Sequence, residues 1–485
     1  MARLKDLLNG SEFETEISGV TIDSRAVTDG CLFVCIEGLS FDGHDFIWDA
    51  VKNGAAAVVC REGREFSDPG VPVVFVTDTR DALCSIAANF YGNPADSLTL
   101  TGVTGTNGKT SVTYFMQTIL DGALIAGSPR KAGIIGTSGA NVGGVDLGIG
   151  YATSTTPDTI ELHAILSEMI KKDATDAVME VSSHALALNK TGGMIFAVGI
   201  FTNLTSDHMD FHGTEDNYRE AKAKLFRQCR IGVFNADDPA SELIMKNAAC
   251  QKITYGIEKP CDFQAVNIEY TTAGSRFSLN INGTMERFFI GIPGKFSVYN
   301  ALSAICAALA LGLSVAQIKE GIGQIKGVPG RFQSVPNSRG IAVIIDYAHT
   351  PDALENIIKA VREFTTGRII TVFGCGGDRD SDKRPVMGRI AGTLSDHCVL
   401  TSDNPRNERP GKIIEEIERG MVEIGCKYDK IVDRQEAIEA AVNMARPGDS
   451  VIIAGKGCED YQEFEDKRRV HFSDIETAEK ILGCE

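Results

Sequence analysis

Residues 98–113 read LTLTGVTGTNGKTSVT, and this stretch decides the fold. β-type residues alternate up to Thr104, and glycines fall at Gly102, Gly105 and Gly108. Val112, Phe115, Met116 and Ile119 then take up helical spacing. A strand, a glycine turn and a helix start, with Gly108-Lys109-Thr110-Ser111 at the junction, form the context of a phosphate-binding loop. The backbone N–H groups of such a turn and the helix N-terminus make a concave site for oxyanions. Lys109 is placed to reach the β- and γ-phosphates, and the Thr110 hydroxyl to ligate Mg²⁺. The general pattern G-x-x-x-x-G-K-[ST] needs its first glycine at Val103, so the strict form fails by one residue. The shorter GTNGKT is complete.

The flanking sequence predicts an α/β protein of three domains. Residues 1–97 read as a small α/β unit, with strand-like CLFVCIEG, AAAVVC and VPVVFVTD and helical FIWDAVKNG and TRDALCSIAANFYG. Gly92-Asn93-Pro94 punctuates the chain before the phosphate-loop strand. From 98 to 328 strands and helices alternate as in a doubly wound sheet, interrupted near 255–290 by a meander-like stretch. Beyond Gly327-Val328-Pro329-Gly330, residues 329–485 repeat the α/β pattern. IAVIID, RIITVFG, DHCVLTSD and SVIIAG are apolar runs suited to strands buried on both faces, a Rossmann-like domain. Its G-x-G-x-x-G fingerprint is incomplete at Gly374-Cys375-Gly376-Gly377, which argues against a dinucleotide there.

At 485 residues the chain exceeds a single core. Its net charge of −17 makes it a poor non-specific partner for nucleic acid or anionic lipid. Thirteen cysteines without a C-x-x-C pair point to a reducing compartment and to buried thiols at Cys31, Cys35 and Cys60. No apolar run approaches a membrane span, so the expectation is a cytoplasmic monomer without nucleic-acid or membrane partners.

Several polar residues stand where strands end, the ligand side of an open α/β sheet. Glu180 closes AVMEV, and His208 follows FAVGIFTN; beside a phosphate loop, a carboxylate and an imidazole suit a divalent cation. A hydrogen-bonded core carboxylate, and a loop histidine satisfied by Asp207 or Asp210, are the plainer readings of each alone. In TEDNYREAKAKLFRQCR, at about 100° per residue, Tyr218, Ala221, Lys222, Leu225 and Phe226 share one face. Lys222 lies within that apolar stripe and Lys224 opposite it, so Lys222 must either snorkel to water or meet a partner. In the last domain four polar clusters follow strands: Asp346-Tyr347-Ala348-His349, Asp378 to Arg384, Asp403-Asn404-Pro405-Arg406 and Gly455 to Asp460. Together they are expected to line one crevice for a zwitterion, with arginine for carboxylate and acidic groups for ammonium.

TGTNGKTS, EVSSHAL, TNLTSDHMDFHGT, YREAKAKLF, DYAHTPDAL, GCGGDRD…KRP and GKGCEDYQ occur in this order, and the whole chain resembles the Mur ligases. The resemblance implies an N-terminal UDP-binding domain (1–97), a central ATP-binding domain (98–328) and a C-terminal amino-acid-binding domain (329–485). It implies an ATP-dependent amide ligase working through an acyl phosphate on UDP-N-acetylmuramoyl-L-alanyl-D-glutamate. Gly105, Thr106, Asn107, Gly108, Lys109, Thr110 and Ser111 then cradle ATP, with Asn300, Arg331, Asp346 and His349 on the nucleotide side. Ser24 and Arg25 fall at the uridine end, and Ser154, Thr155, Thr156, Ser182, Leu188 and Lys190 at the muramoyl-dipeptide. Thr110, Glu180 and His208 look like Mg²⁺ ligands. Lys222 matches the lysine that the family carries as an N-carboxylysine, formed with CO₂.

The motif Asp403-Asn404-Pro405-Arg406 resembles that of members adding meso-diaminopimelate, with Arg379, Gly455 and Glu459 as further contacts. Lys109, Glu180, His208 and Lys222 form the implied catalytic group. Cys458, Lys190, Leu188 and Ser297 depart from common family residues. A folylpolyglutamate synthase shares the implied architecture, but the N-terminal motifs and DNPR speak against it. A nucleotide-dependent switch would leave the C-terminal polar clusters without a use.

Overall fold

The computed structural model describes residues 2–8, 11–38, 41–125, 127–151, 153, 155–205, 207–271, 274–422 and 424–483. Two compact units result: Met1–Gln264 with Leu302–Ile318, and Ala265–Ala301 with Lys319–Glu485.

The first unit opens with a four-stranded parallel sheet of Gly19–Thr21, Cys31–Val34, Ala55–Arg61 and Val73–Val76. Helices Ile47–Lys52 and Thr79–Phe90 accompany it, the latter started by the Asp78 carboxylate accepting from Arg80 N and Asp81 N. The thiols of Cys31, Cys35 and Cys60 are buried among Phe33, Ile47 and Val58, as small apolar side chains would be.

The same unit holds a nine-stranded sheet. Its centre is Thr99–Thr104, flanked in parallel by Asp176–Glu180 and Phe196–Phe201. The central pairing lies in a core of Leu100, Ile135, Met179, Val181, Phe196, Phe201 and Phe226. Two features of this sheet had no signal in the reading above. Gly139–Val142 and Val145–Asp146 add an antiparallel edge, and helix Thr159–Lys171 packs on the sheet behind a capping box of Asp158 and Glu161. Because Phe201 pairs with Thr104 and Glu180 with Val103, three strands deliver their C-terminal ends to one place.

In the second unit, Val266–Thr271, Gly274–Ile281 and Thr284–Ile290 form a separate antiparallel sheet, the meander expected near 255–290. The six-stranded sheet runs Gln333–Ser334, Ala342–Asp346, Ser450–Ala454, Ile369–Phe373, His397–Leu400 and Tyr428–Lys430. All but the first are parallel, and the four central strands are largely buried, as their apolar runs require, while Tyr428–Lys430 forms a more exposed edge. The strand-end clusters therefore share one edge of the sheet, with one correction. Lys383–Leu394 is a helix, and Arg384 within it is 1% exposed. Its guanidinium is consumed by Glu408 at 2.7 Å and Glu416 at 2.6 Å, so it braces the fold and is withdrawn from any crevice. Pro385 and the glycines at 388 and 392 hid this helix from its periodicity.

Candidate active site

The strand Thr99–Thr104 passes into helix Lys109–Leu120 through Gly105, at φ +150°, and Gly108, at φ +87°. A Cβ on Gly105 would lie 1.9 Å from Thr202 Oγ1, so both backbone conformation and space demand glycine. The loop is tied from the neighbouring strand end: Thr106 N–H donates to the Asn203 carbonyl, and Asn107 N–H to Asn203 Oδ1, each at 2.9 Å. Thr202 Oγ1 donates to the Asn107 carbonyl at 2.7 Å. The first helical bond is Val112 N–H to the Gly108 carbonyl. The helix therefore begins at Lys109, the end at which the sequence leads one to expect an anion.

Two ammonium groups converge on this loop. Lys109 Nζ donates to the carbonyls of Gly105 at 3.0 Å and Thr106 at 2.9 Å. Lys222 Nζ donates to the same Gly105 carbonyl at 2.9 Å and sits 4.3 Å from the centre of the Tyr218 ring. Lys222 is 1% exposed, so it does not snorkel. Burial, reinforced by the Lys109 charge, holds its ammonium well below the ordinary lysine range. Lys224 lies outside this group and reaches the carbonyls of Leu186 and Ala187. Tyr218 joins the two parts, since its hydroxyl is 3.1 Å from Thr106 Oγ1.

Glu180 is buried and touches the loop helix directly: Thr110 Oγ1 donates to its Oε1 at 3.0 Å. Thr137, which sequence reasoning missed, gives the same carboxylate its backbone N–H at 2.9 Å and its hydroxyl at 3.3 Å. Thr156 Oγ1 donates to the Glu180 carbonyl at 2.9 Å and accepts from Ser182 N–H at 3.0 Å. A hydroxyl and a carboxylate at this spacing are hard oxygen donors suited to Mg²⁺. His208, at φ +54°, is half exposed and 3.4 Å from Asp207, with its ring 4.8 Å from that of His184. Among the described residues it makes no hydrogen bond to the Glu180 carboxylate, whose strand leads into helix Ser183–Ala187, the helix that carries His184.

The other predicted contacts in this unit have partners of their own. Ser24 opens a single 3₁₀ turn, and exposed Arg25 folds onto Asp23 at 2.8 Å. Thr155 Oγ1 accepts from Thr137 Oγ1 at 3.5 Å, and Leu188 ends helix Ser183–Ala187. Lys190 pairs with Asp158 at the start of helix Thr159–Lys171. Ser154 lies outside the described residues.

The second unit carries its own cluster. Asp346 accepts from Phe332 N–H at 2.7 Å and Ala348 N–H at 2.8 Å, and Arg331 stacks 4.7 Å from the Tyr347 ring. Burial raises the Asp346 carboxyl above its usual range, against the pull of Arg331. His349 is exposed with Nδ1 2.8 Å from the Tyr347 carbonyl, and Asn300 is buried. Ser297 donates to the carbonyls of Ile292 and Gly294, so the departure at that position closes a turn.

In the clusters after strands His397–Leu400 and Ser450–Ala454, Gly455, at φ +122°, leaves room for Asp403, whose Oδ2 would be 2.4 Å from a Cβ there. Pro405 is buried between Asn404 and Arg406, whereas Arg379 and Cys458 are exposed. Arg406, at φ +50°, donates through Nε to Glu463 at 3.0 Å and through Nη1 to the Gly377 carbonyl at 2.8 Å. Glu463 was not foreseen, and Lys456, expected only as a member of the Gly455 to Asp460 cluster, is wholly buried; each has a partner in the loop Asp403 to Arg406.

Three family models match the chain: "Mur ligase family, catalytic domain" over residues 16–91, "Mur ligase middle domain" over 103–308, and "Mur ligase, glutamate ligase domain" over 330–457. A UDP-N-acetylmuramoyl-L-alanyl-D-glutamate--2,6-diaminopimelate ligase of Clostridium acetobutylicum is 43% identical, with 99% of each chain covered. The chain belongs to the Mur ligase family. A ligase of the same name from Alkaliphilus metalliredigens is 47% identical to this Mur ligase, over 93% of this chain and 90% of the relative. A solved structure also carrying that name matches with a TM-score of 0.71 at 29% identity, over 99% of both chains. The α/β architecture of this Mur ligase is thus that of its relatives. No helix among the described residues is long and apolar enough to cross a membrane.

Proposed function

We propose that this Mur ligase joins meso-diaminopimelate to UDP-N-acetylmuramoyl-L-alanyl-D-glutamate at the expense of ATP, in cytoplasmic peptidoglycan precursor synthesis. The observation that carries the reading is full-length likeness, at 43% identity, to a ligase of that name. The γ-phosphoryl group passes to the terminal glutamyl carboxylate, and ADP leaves. The amine of diaminopimelate attacks the acyl phosphate, the amide C–N bond forms, and phosphate departs with the amine's proton lost to solvent.

Gly105 to Ser111 cradle the phosphates, and Lys109 exchanges its loop carbonyls for phosphate oxygens. Thr110 and Glu180, with His208, are the residues that would hold Mg²⁺, which neutralises charge on the phosphates when bound. Lys222 is the site of the N-carboxylysine. Its depressed basicity supplies the neutral amine that adds CO₂ and releases a proton, replacing a buried cation with an anion. Asn300, Arg331, Asp346 and His349 take the nucleotide side, Ser24 and Arg25 the uridine end, and Ser154, Thr155, Thr156, Ser182, Leu188 and Lys190 the muramoyl-dipeptide. Arg379, Asp403, Asn404, Pro405, Arg406, Gly455 and Glu459 receive diaminopimelate, Arg406 binding its distal carboxylate. The domain division 1–97, 98–328 and 329–485 and a monomeric state belong to the same proposal; the family models, which break at 91/103 and 308/330, support the division.

Phosphate release tests the reading. It should require ATP, the UDP-dipeptide and diaminopimelate together. Release supported by a folate and glutamate, or by ATP alone, would contradict it.

A further inference from the structure

Lys456 is 0% exposed, an ammonium wholly withdrawn from water. Such a charge persists only where its donors are satisfied. Its Nζ donates to Asn404 Oδ1 at 2.9 Å and to Glu459 Oε2 at 3.0 Å, and lies 5.5 Å from the Tyr461 ring centre. Both hydrogen-bond partners belong to the group assigned above to the incoming amino acid. Asn404 Oδ1 also accepts the Glu463 N–H at 3.0 Å. Lysine and a backbone amide can only donate, so this side of the Asn404 amide must be the oxygen. The Asn404 Nδ2 then necessarily turns the other way, and it donates to Glu459 Oε2 at 2.8 Å.

Glu459 Oε2 therefore receives two donors, while Oε1 has no hydrogen-bond partner among the described residues. Glu463 extends the same arrangement. Its carbonyl accepts Arg406 N–H and its carboxylate holds Arg406 Nε, each at 3.0 Å, while Arg406 Nη2 is left without a partner among the described residues.

We propose that Lys456 is a positioning residue for amino-acid recognition, fixing the Asn404 amide and one oxygen of Glu459 so that the other remains for the ammonium of the substrate. The inference rests on the assignment of Asn404, Arg406 and Glu459 to meso-diaminopimelate. Lys456 acts through these neighbours and not on the substrate. Without it, the Asn404 amide loses the donor that orients it and Glu459 keeps an unpaired charge, so both turn away from the substrate.

Steady-state kinetics of Lys456→Met and Lys456→Gln test this. Both remove the ammonium that Asn404 and Glu459 share. The second keeps a polar head in the buried position, so it serves where the first does not fold. The KM for diaminopimelate should rise about 10- to 100-fold in each. The KM values for ATP and the UDP-dipeptide, and kcat at saturation, should stay within about threefold. A merely structural lesion would instead lower kcat and the folded fraction with all three KM values unchanged, and that result overturns the proposal. Absence of diaminopimelate-dependent phosphate release in the unaltered protein would refute the assigned activity itself, whatever the variants do.

Discussion

Lys109 and Lys222 donate to one and the same carbonyl oxygen, that of Gly105, at 3.0 and 2.9 Å. Two ammonium groups on one acceptor repel each other in a buried setting, and the Lys109 charge is one reason that Lys222 gives up its proton readily. This relationship links the phosphate loop to the helix that follows His208, and it supports the proposed reaction of Lys222 with CO₂. Replacing Lys222 with alanine is expected to lower kcat by about 100-fold or more, as losing one preorganised electrostatic group does. The intact mass of active enzyme should show the added carboxylate. Full activity with unmodified lysine would exclude the modification.

Gly105 tests the loop itself. Its φ of +150° and the 1.9 Å approach of a Cβ to Thr202 Oγ1 leave no place for a side chain. Gly105→Ala should displace the loop by enough to cost about 100-fold in turnover, while the circular dichroism of the protein stays that of the parent. Nucleotide affinity measured by calorimetry should fall with it.

Arg406 is the residue proposed to select the amino acid. With Nε on Glu463 and Nη1 on Gly377, the guanidinium is held in one orientation before substrate arrives. Arg406→Ala should raise the KM for diaminopimelate about 30-fold or more, from a loss of roughly 2 kcal/mol or above for one partner of a charged pair. The KM for ATP should not change. Equal effects on all substrates would make Arg406 a structural residue only.

The buried Arg384 carries stability and not recognition. Removing it as Arg384→Met leaves Glu408 and Glu416 facing each other without a cation, and should cost about 3–5 kcal/mol in denaturant unfolding. Its hydrogen bond holds the Glu408 carboxyl down at about 2, against an ordinary value of 4.5. A depressed folded-state value stabilises above the unfolded one, so the contribution is complete above pH 4.5 and is lost as pH falls through about 2. The difference in unfolding midpoint between the parent and Glu408→Gln should accordingly be largest near neutrality and shrink across that window.

The parts of the site that were legible in the sequence are those whose logic is local. The phosphate loop has its signature in the local run GTNGKT, and the choice of Lys222 over Lys224 as the residue on the apolar face follows from helix phase alone, as the burial of one and the carbonyl contacts of the other bear out. Glu180 could be placed at a strand end, but the donors that hold it could not: Thr137 follows a neighbouring strand, and Thr156 approaches from a loop. Lys456 and Glu463 look like solvated charges in GKGCEDYQE until the Asn404 loop is folded against them. Arg384 was misplaced for the same reason. Its pair is made with Glu408 and Glu416, and a polar dipeptide after a glycine loop carries no mark of burial. Helix Lys383–Leu394 itself was hidden by a proline and two glycines, which its packing overrides.

The central claim is that the phosphate loop and the Arg406 loop belong to one ligase that discriminates its amino acid. The most direct measurement is ATP turnover with UDP-N-acetylmuramoyl-L-alanyl-D-glutamate, comparing meso-diaminopimelate with L-lysine. A site built to hydrogen-bond the distal amino-carboxylate should prefer diaminopimelate in kcat/KM by a factor on the order of 10⁴. Comparable turnover of the two amino acids, or ATP hydrolysis indifferent to both, would contradict the account.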